Sequence, residues 1–414
     1  MKLSLQPQWL DGMLGKGAGG LVIALCLLAP NVERQPATGL AALLAILVLL
    51  RLLITGRKIL NELDSIDWAM AGLLVSAALS TFFGWPSPSG RMQGVAEAAA
   101  LFTLFYGIRH GGYDQVWLRR FAQAAVIGAM IAAMLGLVAH LVDHRPFTLP
   151  GIPGTIRAAV YLGISLLLAI GFAQEQTGYA RFVWATAALF LFMMVLFLHS
   201  RAVVIGIIFC LWIGFSIRFR TRALGLMMAI FLMILIMPTM MPKEIRATFE
   251  AKATELAELI LEGKISANDR LRVAGWQIAV AWIKHGDNAL LGIGPRNYHM
   301  LSTKRGSLAL PGQVDEQAWN LSHAHNMFLT RYVEQGILGL IVLLFFLLSL
   351  AKRMARDAFA GKIDWKWWGA FGGLVLPVLN GLVGSPWNHE YVWLAVLLFA
   401  IYLALRDRAR VQPS

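Results

Sequence analysis

The feature that most constrains this chain is the recurrence of apolar stretches of roughly 17 to 25 residues, the length a helix needs to cross a bilayer. Charges gather in short runs between them, such as Arg51, Arg57 and Lys58, or Arg218, Arg220 and Arg222. In lipid every backbone N–H and C=O must be paired within the chain, so such stretches are helices. A β-barrel would show short alternating strands, which the sequence lacks. Of 414 residues 58% are hydrophobic and 14% charged, where a soluble domain carries about a quarter charged residues. Spans are expected at 17–31, 37–55, 66–84, 92–109, 119–142, 156–174, 181–198, 201–217, 222–241, 325–351, 367–385 and 388–405. Pro86 and Pro88 separate the third from the fourth; Pro146, Pro150 and Pro153 separate the fifth from the sixth. Asp364 precedes a Trp-Lys-Trp-Trp run at 365–368, an aromatic belt of the kind found at a membrane interface. The fold class is therefore an all-α polytopic membrane protein with about twelve transmembrane helices.

Orientation follows from the cations. With a cytoplasmic N-terminus, the short segments on that side hold 20 Lys and Arg. The short loops across the membrane hold five: Arg34, Arg91, Arg145, Arg157 and Arg201. The positive-inside bias then puts both termini in the cytoplasm. It also accounts for most of the net charge of +13, so nucleic acid is not called for as a partner. Residues 242–324 fall outside and stay out of the count, because long loops cross regardless of charge. The expected organisation is 1–241 with nine spans, 242–324 as one large outer loop, and 325–414 with three spans and a cytoplasmic C-terminus. Cys26 and Cys210 sit inside apolar spans, and no CxxC or Cys/His cluster points to zinc. The first apolar run ends at Pro30-Asn31-Val32-Glu33 without a small-x-small cleavage site, so it reads as a span and not a signal peptide.

The long loop carries its own pattern. Ile245, Phe249, Leu256 and Ile260 share a helical face, with Glu250, Glu255, Glu258 and Glu262 among the polar residues. Ser266-Ala267-Asn268-Asp269 resembles a capping box and opens a second helix bearing Trp276, Val280, Trp282 and Ile283, with Gly286 as a C-cap. Gly292, Gly294 and Pro295 make a turn. The loop thus reads as a helical subdomain on the outer membrane surface. No internal repeat marks a transporter built from inverted halves.

Several arginines lie on the side that should be poor in them. Arg201 follows His199-Ser200 at a tight junction between two spans. It reads either as a snorkelling or capping residue, or as a clamp whose planar fork suits phosphate oxygens. Arg270 and Arg272 open the second loop helix, and Arg272 shares a face with Trp276 four residues on. Here a salt bridge or cation–π pair competes with a ligand contact. Arg157, after Pro150-Gly-Ile-Pro-Gly154, is an interfacial anchor or a ligand contact. His325 begins the tenth span, with His323 before it and Asn326 after it. Gly336 and Gly339, three apart, would leave a groove for a close helix neighbour and hold this helix rigidly, with His325 at the water interface. A histidine there can act as a general base, since its unperturbed pKa lies near neutrality. The spacing of His299, His323 and His325 is not diagnostic of a metal, and no metal or other cofactor is assigned. Arg296, beside the Gly294-Pro295 turn, completes the candidates. The spans offer few polar groups near the midplane; Glu97 is one.

His325-Asn326 followed, nine residues later, by Gly336-Ile337-Leu338-Gly339 resembles the signature of bacterial O-antigen ligases. Three further features are similar: Arg272-x-x-x-Trp276 at the start of a loop helix, Gly292-Ile-Gly294 before Asn297-Tyr298, and Ser200-Arg201-Ala202 at a span junction. The likeness in topology covers most of the chain, the specific motifs about 130 residues. The resemblance implies a GT-C-like glycosyltransferase of the bacterial inner membrane with its active site on the periplasmic face. It would move O-antigen from undecaprenyl diphosphate to lipid A-core, inverting the anomeric carbon without a metal. It gives His325 the role of base and Arg201 and Arg272 that of stabilising the diphosphate; Arg157, Arg270, Arg296, His323 and Asn326 would contact diphosphate or glycan. O-antigen polymerases and protein O-oligosaccharyltransferases share the general pattern. A polymerase would show two large loops with arginine-rich repeats, where one loop is seen here. A transporter or flippase for a lipid-linked glycan is the alternative of another class; it would place its polar groups near the midplane, not at one face.

Overall fold

The structure, a computed structural model, describes residues 7–31, 43–44, 46–48, 50–51, 53, 63–84, 91–144, 146–152, 154–198, 200–219, 267–286, 288–303, 321–384 and 390–411. The expected ninth span, 222–241, and the expected loop helix over 243–262 lie outside these residues.

The chain is helical, and among the described residues the only strand-like pairing is an isolated bridge between Leu149 and Ile152. In order the helices are α1 (Pro7–Leu28), α2 (Ser65–Phe83), α3 (Arg91–Arg109), α4 (Gln115–Asp143), α5 (Thr155–Glu175), α6 (Gly178–Phe197), α7 (Arg201–Phe219), α8 (Ala267–His285), α9 (Tyr298–Thr303), α10 (Met327–Phe359), α11 (Trp365–Val383) and α12 (Glu390–Val411). Six of them, α2, α4, α5, α6, α7 and α10, are long and apolar enough to cross a membrane. The chain is thus a multi-pass membrane protein. Helices α3, α11 and α12 form where spans were expected but fall outside these six. Terminal charges, tryptophans and glycines lower their hydropathy. Of α1, only Gly12–Leu28 is apolar.

Short polar residues start the helices. Asp64 accepts from the Ile66 and Asp67 N–H groups at the head of α2, and Asp67 accepts from the Asp64 N–H in return. Asp114 caps α4 and Asp364 caps α11, each accepting an N–H of the first turn. Such caps satisfy donors that have no partner within the helix. Helix α5 is the hub: 78% of its apolar window is buried, against 28% for α7 at the rim. It packs on α4, α6, α7, α11 and α12.

Charged side chains hold one end of the bundle together. Arg109, at the end of α3, lies 2.6 Å from Asp64, 2.9 Å from Asp67 and 2.9 Å from Asp407 of α12. Arg353 of α10 reaches the same Asp64 at 2.6 Å. His110 Nε2 lies 2.9 Å from Asp67, and Arg406 of α12 bonds Asp357 of α10 at 2.8 Å. Burial alone would raise the Asp64 carboxyl, but hydrogen bonds and charge from Arg109 and Arg353 hold it well below the usual carboxylate range.

The opposite end of α10 departs from expectation. Gly336 does not serve a helix–helix groove. Its φ is +65°, a left-handed conformation that breaks the helix and that glycine adopts at little cost. Backbone of the segment 288–294 enters the break. Ile293 N donates to Val333 O at 3.0 Å and Gly294 N to Glu334 O at 2.8 Å. In the other direction Ile337 N donates to Ala289 O at 2.9 Å and Leu338 N to Leu290 O at 3.4 Å. Groups freed by the break are thereby paired, as a buried backbone requires. A Cβ on Gly336 would collide with Leu290 O, and one on Gly292 with Val333 O. Ser80 of α2 also donates to Glu334 O, at 2.5 Å. Above this junction α8 and α9 form a second, smaller core around Ile278, Ala279, Tyr298 and Ala324, which shares Val333 with α10.

Candidate active site

The expected turn and helix of the loop are present: α8 runs from Ala267 to His285, and Gly292 and Gly294 have φ of +70° and +95°. Together they wall the strand of chain that leads into α10. Tyr298 donates to Gly275 O at 2.5 Å, and Gly275 leaves room for the Ala324 backbone against α8. Ala324 N donates to Thr330 Oγ1 at 3.1 Å, so the first turn of α10 holds the residue before His325. His325 itself has φ +52°, uncommon for a side-chain-bearing residue. Such strain persists where the surroundings over-determine it, and collects at functional sites.

The histidine has close company. The His323 and His325 rings stand 4.4 Å apart between centroids, and Ser322 Oγ lies 2.8 Å from His323 Nδ1. Burial lowers the His325 pKa below its ordinary value, and the Arg272 charge lowers it further. Burial, His325 and Arg157 push His323 down to about 3. Both imidazoles are then neutral near pH 7, each with a nitrogen lone pair able to take a proton. The arginines that keep them neutral, Arg157 from α5 and Arg272 from α8, come from elements far apart in sequence.

Four candidates from the sequence, His323, His325, Arg157 and Arg272, are thus brought together. The others are placed differently. Asn326 is the N-cap of α10: its Oδ1 accepts from Phe328 N and Leu329 N at 3.0 Å each, and its Nδ2 donates to Leu382 O at 2.9 Å. That amide caps α10 directly after His325 and ties it to α11 through Leu382 O. Arg201 stands exposed at the first residue of α7 and takes no part in the contacts described above. The Arg270 side chain lies outside the described residues. Arg296, at φ +64°, pairs with Glu97 of α3 at 2.9 Å. Sequence reasoning did not find Thr330, whose contribution is a hydrogen bond to backbone and leaves no pattern. Nor did it find the role of Glu334, which receives N–H groups of Arg296 and Tyr298 on its carboxylate. A carboxylate inside an apolar span was its signal.

Comparison with curated proteins gives no match. Residues 186–344 match the model of a protein family described as O-Antigen ligase. The matched stretch includes Arg201, Arg272, His325 and the Gly336 break, while Arg157 lies before it. That family carries out glycosyl transfer of the ligase or polymerase kind on lipid-linked glycans. The match over 186–344 supports reading the chain as an O-antigen ligase-family protein, and with its apolar helices as a membrane-embedded one.

Proposed function

We propose that the chain transfers O-antigen from undecaprenyl diphosphate to lipid A-core on the periplasmic side of the inner membrane. The observation that carries this reading is His325: a neutral imidazole in a strained loop, beside Arg272 and, through His323, Arg157. His325 takes the proton of the acceptor hydroxyl as its oxygen attacks the anomeric carbon. The bond from that carbon to the diphosphate breaks, and its electron pair leaves on the diphosphate oxygen. Attack opposite the leaving group inverts the anomeric centre. Arg272 and Arg157 stabilise charge as it develops on the diphosphate. Arg201 and Arg270 lend further guanidinium groups to the same leaving group, a role that a planar fork performs better than an ammonium. Because the arginines supply the countercharge, transfer continues with excess chelator.

The test is a transfer assay with purified protein and lipid-linked glycan, offering lipid A-core, a second lipid-linked glycan and a serine-rich protein as rival acceptors. Product on lipid A-core alone supports ligation. Product on the second glycan makes the protein a polymerase, and product on serine makes it a protein O-oligosaccharyltransferase. Movement of the lipid-linked glycan across a vesicle membrane without any new glycosidic bond would make it a flippase.

A further inference from the structure

At the first turn of α10 lies a pocket between α2, α3, α10 and α12 that the proposed mechanism does not use. Its polar lining is Glu97, Arg296, Arg331, Glu334 and Gln335, and Trp393 of α12 adds an indole. The charges balance, two carboxylates against two guanidiniums, and Glu97 and Arg296 meet at 2.9 Å. A diphosphate would gain no net attraction here, because each guanidinium is offset by a carboxylate. An uncharged sugar ring needs none. Carboxylates accept its hydroxyls, guanidiniums donate to them, and the indole with Leu73 and Leu101 offers apolar surface to its C–H faces.

Two observations mark the pocket as built for a ligand. The Nε of Arg296 is buried with no hydrogen-bond partner, a costly arrangement that an incoming acceptor atom would relieve. The Arg296 backbone is held left-handed at φ +64°, with its N–H bonded to Glu334, and its guanidinium is held at Glu97. The pocket is also tied to the proposed base. Met327 and Thr330 are in its wall; Met327 is two residues from His325, and Thr330 accepts from Ala324 N.

We propose that this pocket is the acceptor subsite: it binds an uncharged sugar ring of the acceptor glycan and presents one hydroxyl to His325. The proposal rests on the glycosyl-transfer reading and adds a division of labour. The cationic cluster takes the diphosphate of the donor, and the charge-balanced pocket takes a neutral sugar of the acceptor.

The experiment measures steady-state transfer by full-length protein in detergent, varying donor and acceptor independently, for wild type, Glu97→Gln and Trp393→Leu. Methyl glycosides of the common hexoses and inorganic diphosphate serve as inhibitors. Losing a charged partner to a sugar hydroxyl should raise the acceptor KM roughly ten- to a hundredfold in Glu97→Gln, with the donor KM and the rate at saturating acceptor within about twofold. A methyl glycoside should compete with acceptor and weaken in both variants, while diphosphate inhibition stays unchanged. Glu97→Gln is nearly isosteric, and an unaltered elution profile shows that it folds. An unchanged acceptor KM in both variants overturns the proposal, as does a rise in donor KM instead. Wild-type protein that makes no new glycosidic bond to any acceptor, sugar or serine, would sink the glycosyl-transfer reading itself, whereas product on serine alone would overturn this subsite and leave that reading standing.

Discussion

Arginine does opposite things at the two ends of this bundle. At one end Arg109 and Arg353 stand against Asp64 and keep its carboxyl charged well below its ordinary pKa. At the other, Arg272 and Arg157 lie near His325 and His323 and, with burial, keep those imidazoles uncharged. The first arrangement locks its groups in one protonation state and ties four helices together. Near pH 7 the second leaves a base without a proton close to cations. The guanidinium is the same in both places, and the group facing it decides whether the result is a staple or a reactive site.

Substitutions should separate the two ends. His325→Ala is expected to cut transfer about 10²- to 10⁴-fold without changing the amount of protein in the membrane, measured by transfer assay and quantitative blot. Near-normal transfer would mean that the site end holds no base. Arg109→Ala should do the reverse. It leaves Asp64 and Asp67 without their shared buried partner and costs about 3–5 kcal/mol of stability, read as a lower Tm in detergent, while transfer per folded molecule persists. If Arg109→Ala abolished transfer without lowering Tm, the staple reading would fail. Gly336→Ala should cost about 1–2 kcal/mol from the left-handed backbone alone, and more from the collision with Leu290 O. Limited proteolysis should then cut faster within 267–303, and an unchanged digestion pattern would argue against the seam at the α10 break. The smallest effect concerns acidity. A lowered His325 pKa keeps the base unprotonated as pH falls, and the rate drops only as pH passes down through that pKa. Arg272→Ala removes one cause of the lowering, so the acid limb of the pH–rate profile should move to higher pH. Because burial is the larger cause, the movement should be partial, and a shift to lower pH would contradict the geometry.

The sequence made some of this legible and hid the rest for physical reasons. Helices could be read because hydropathy is local: α4, α5 and α6 lie within a few residues of expectation, and α8 begins at Ala267, inside the expected Ser266–Asp269 start, with Ser266 itself outside the described residues. His325, His323, Arg157 and Arg272 were each visible as charged or titratable groups near an interface. What could not be read was which of them meet, because Arg157 is 115 residues from Arg272 along the chain. Gly336 was misjudged because a small residue permits close helix packing and a left-handed break alike. Only the partner decides, and here it is the backbone of 288–294. Asn326 looked like a ligand contact because a capping amide and a binding amide have the same letter.

That backbone partner has a consequence for how such a protein can change over generations. The bonds joining 288–294 to α10 run between main-chain atoms and ask little of the side chains that carry them. Leu290, half of one such bond, stands exposed and reads as replaceable. Gly292 and Gly336 are pinned, since any added carbon strikes a carbonyl. Two glycines can therefore keep α8 and α9 registered on the membrane core while the residues around them drift, so the surface of this small core can diversify without loosening the joint that carries His325.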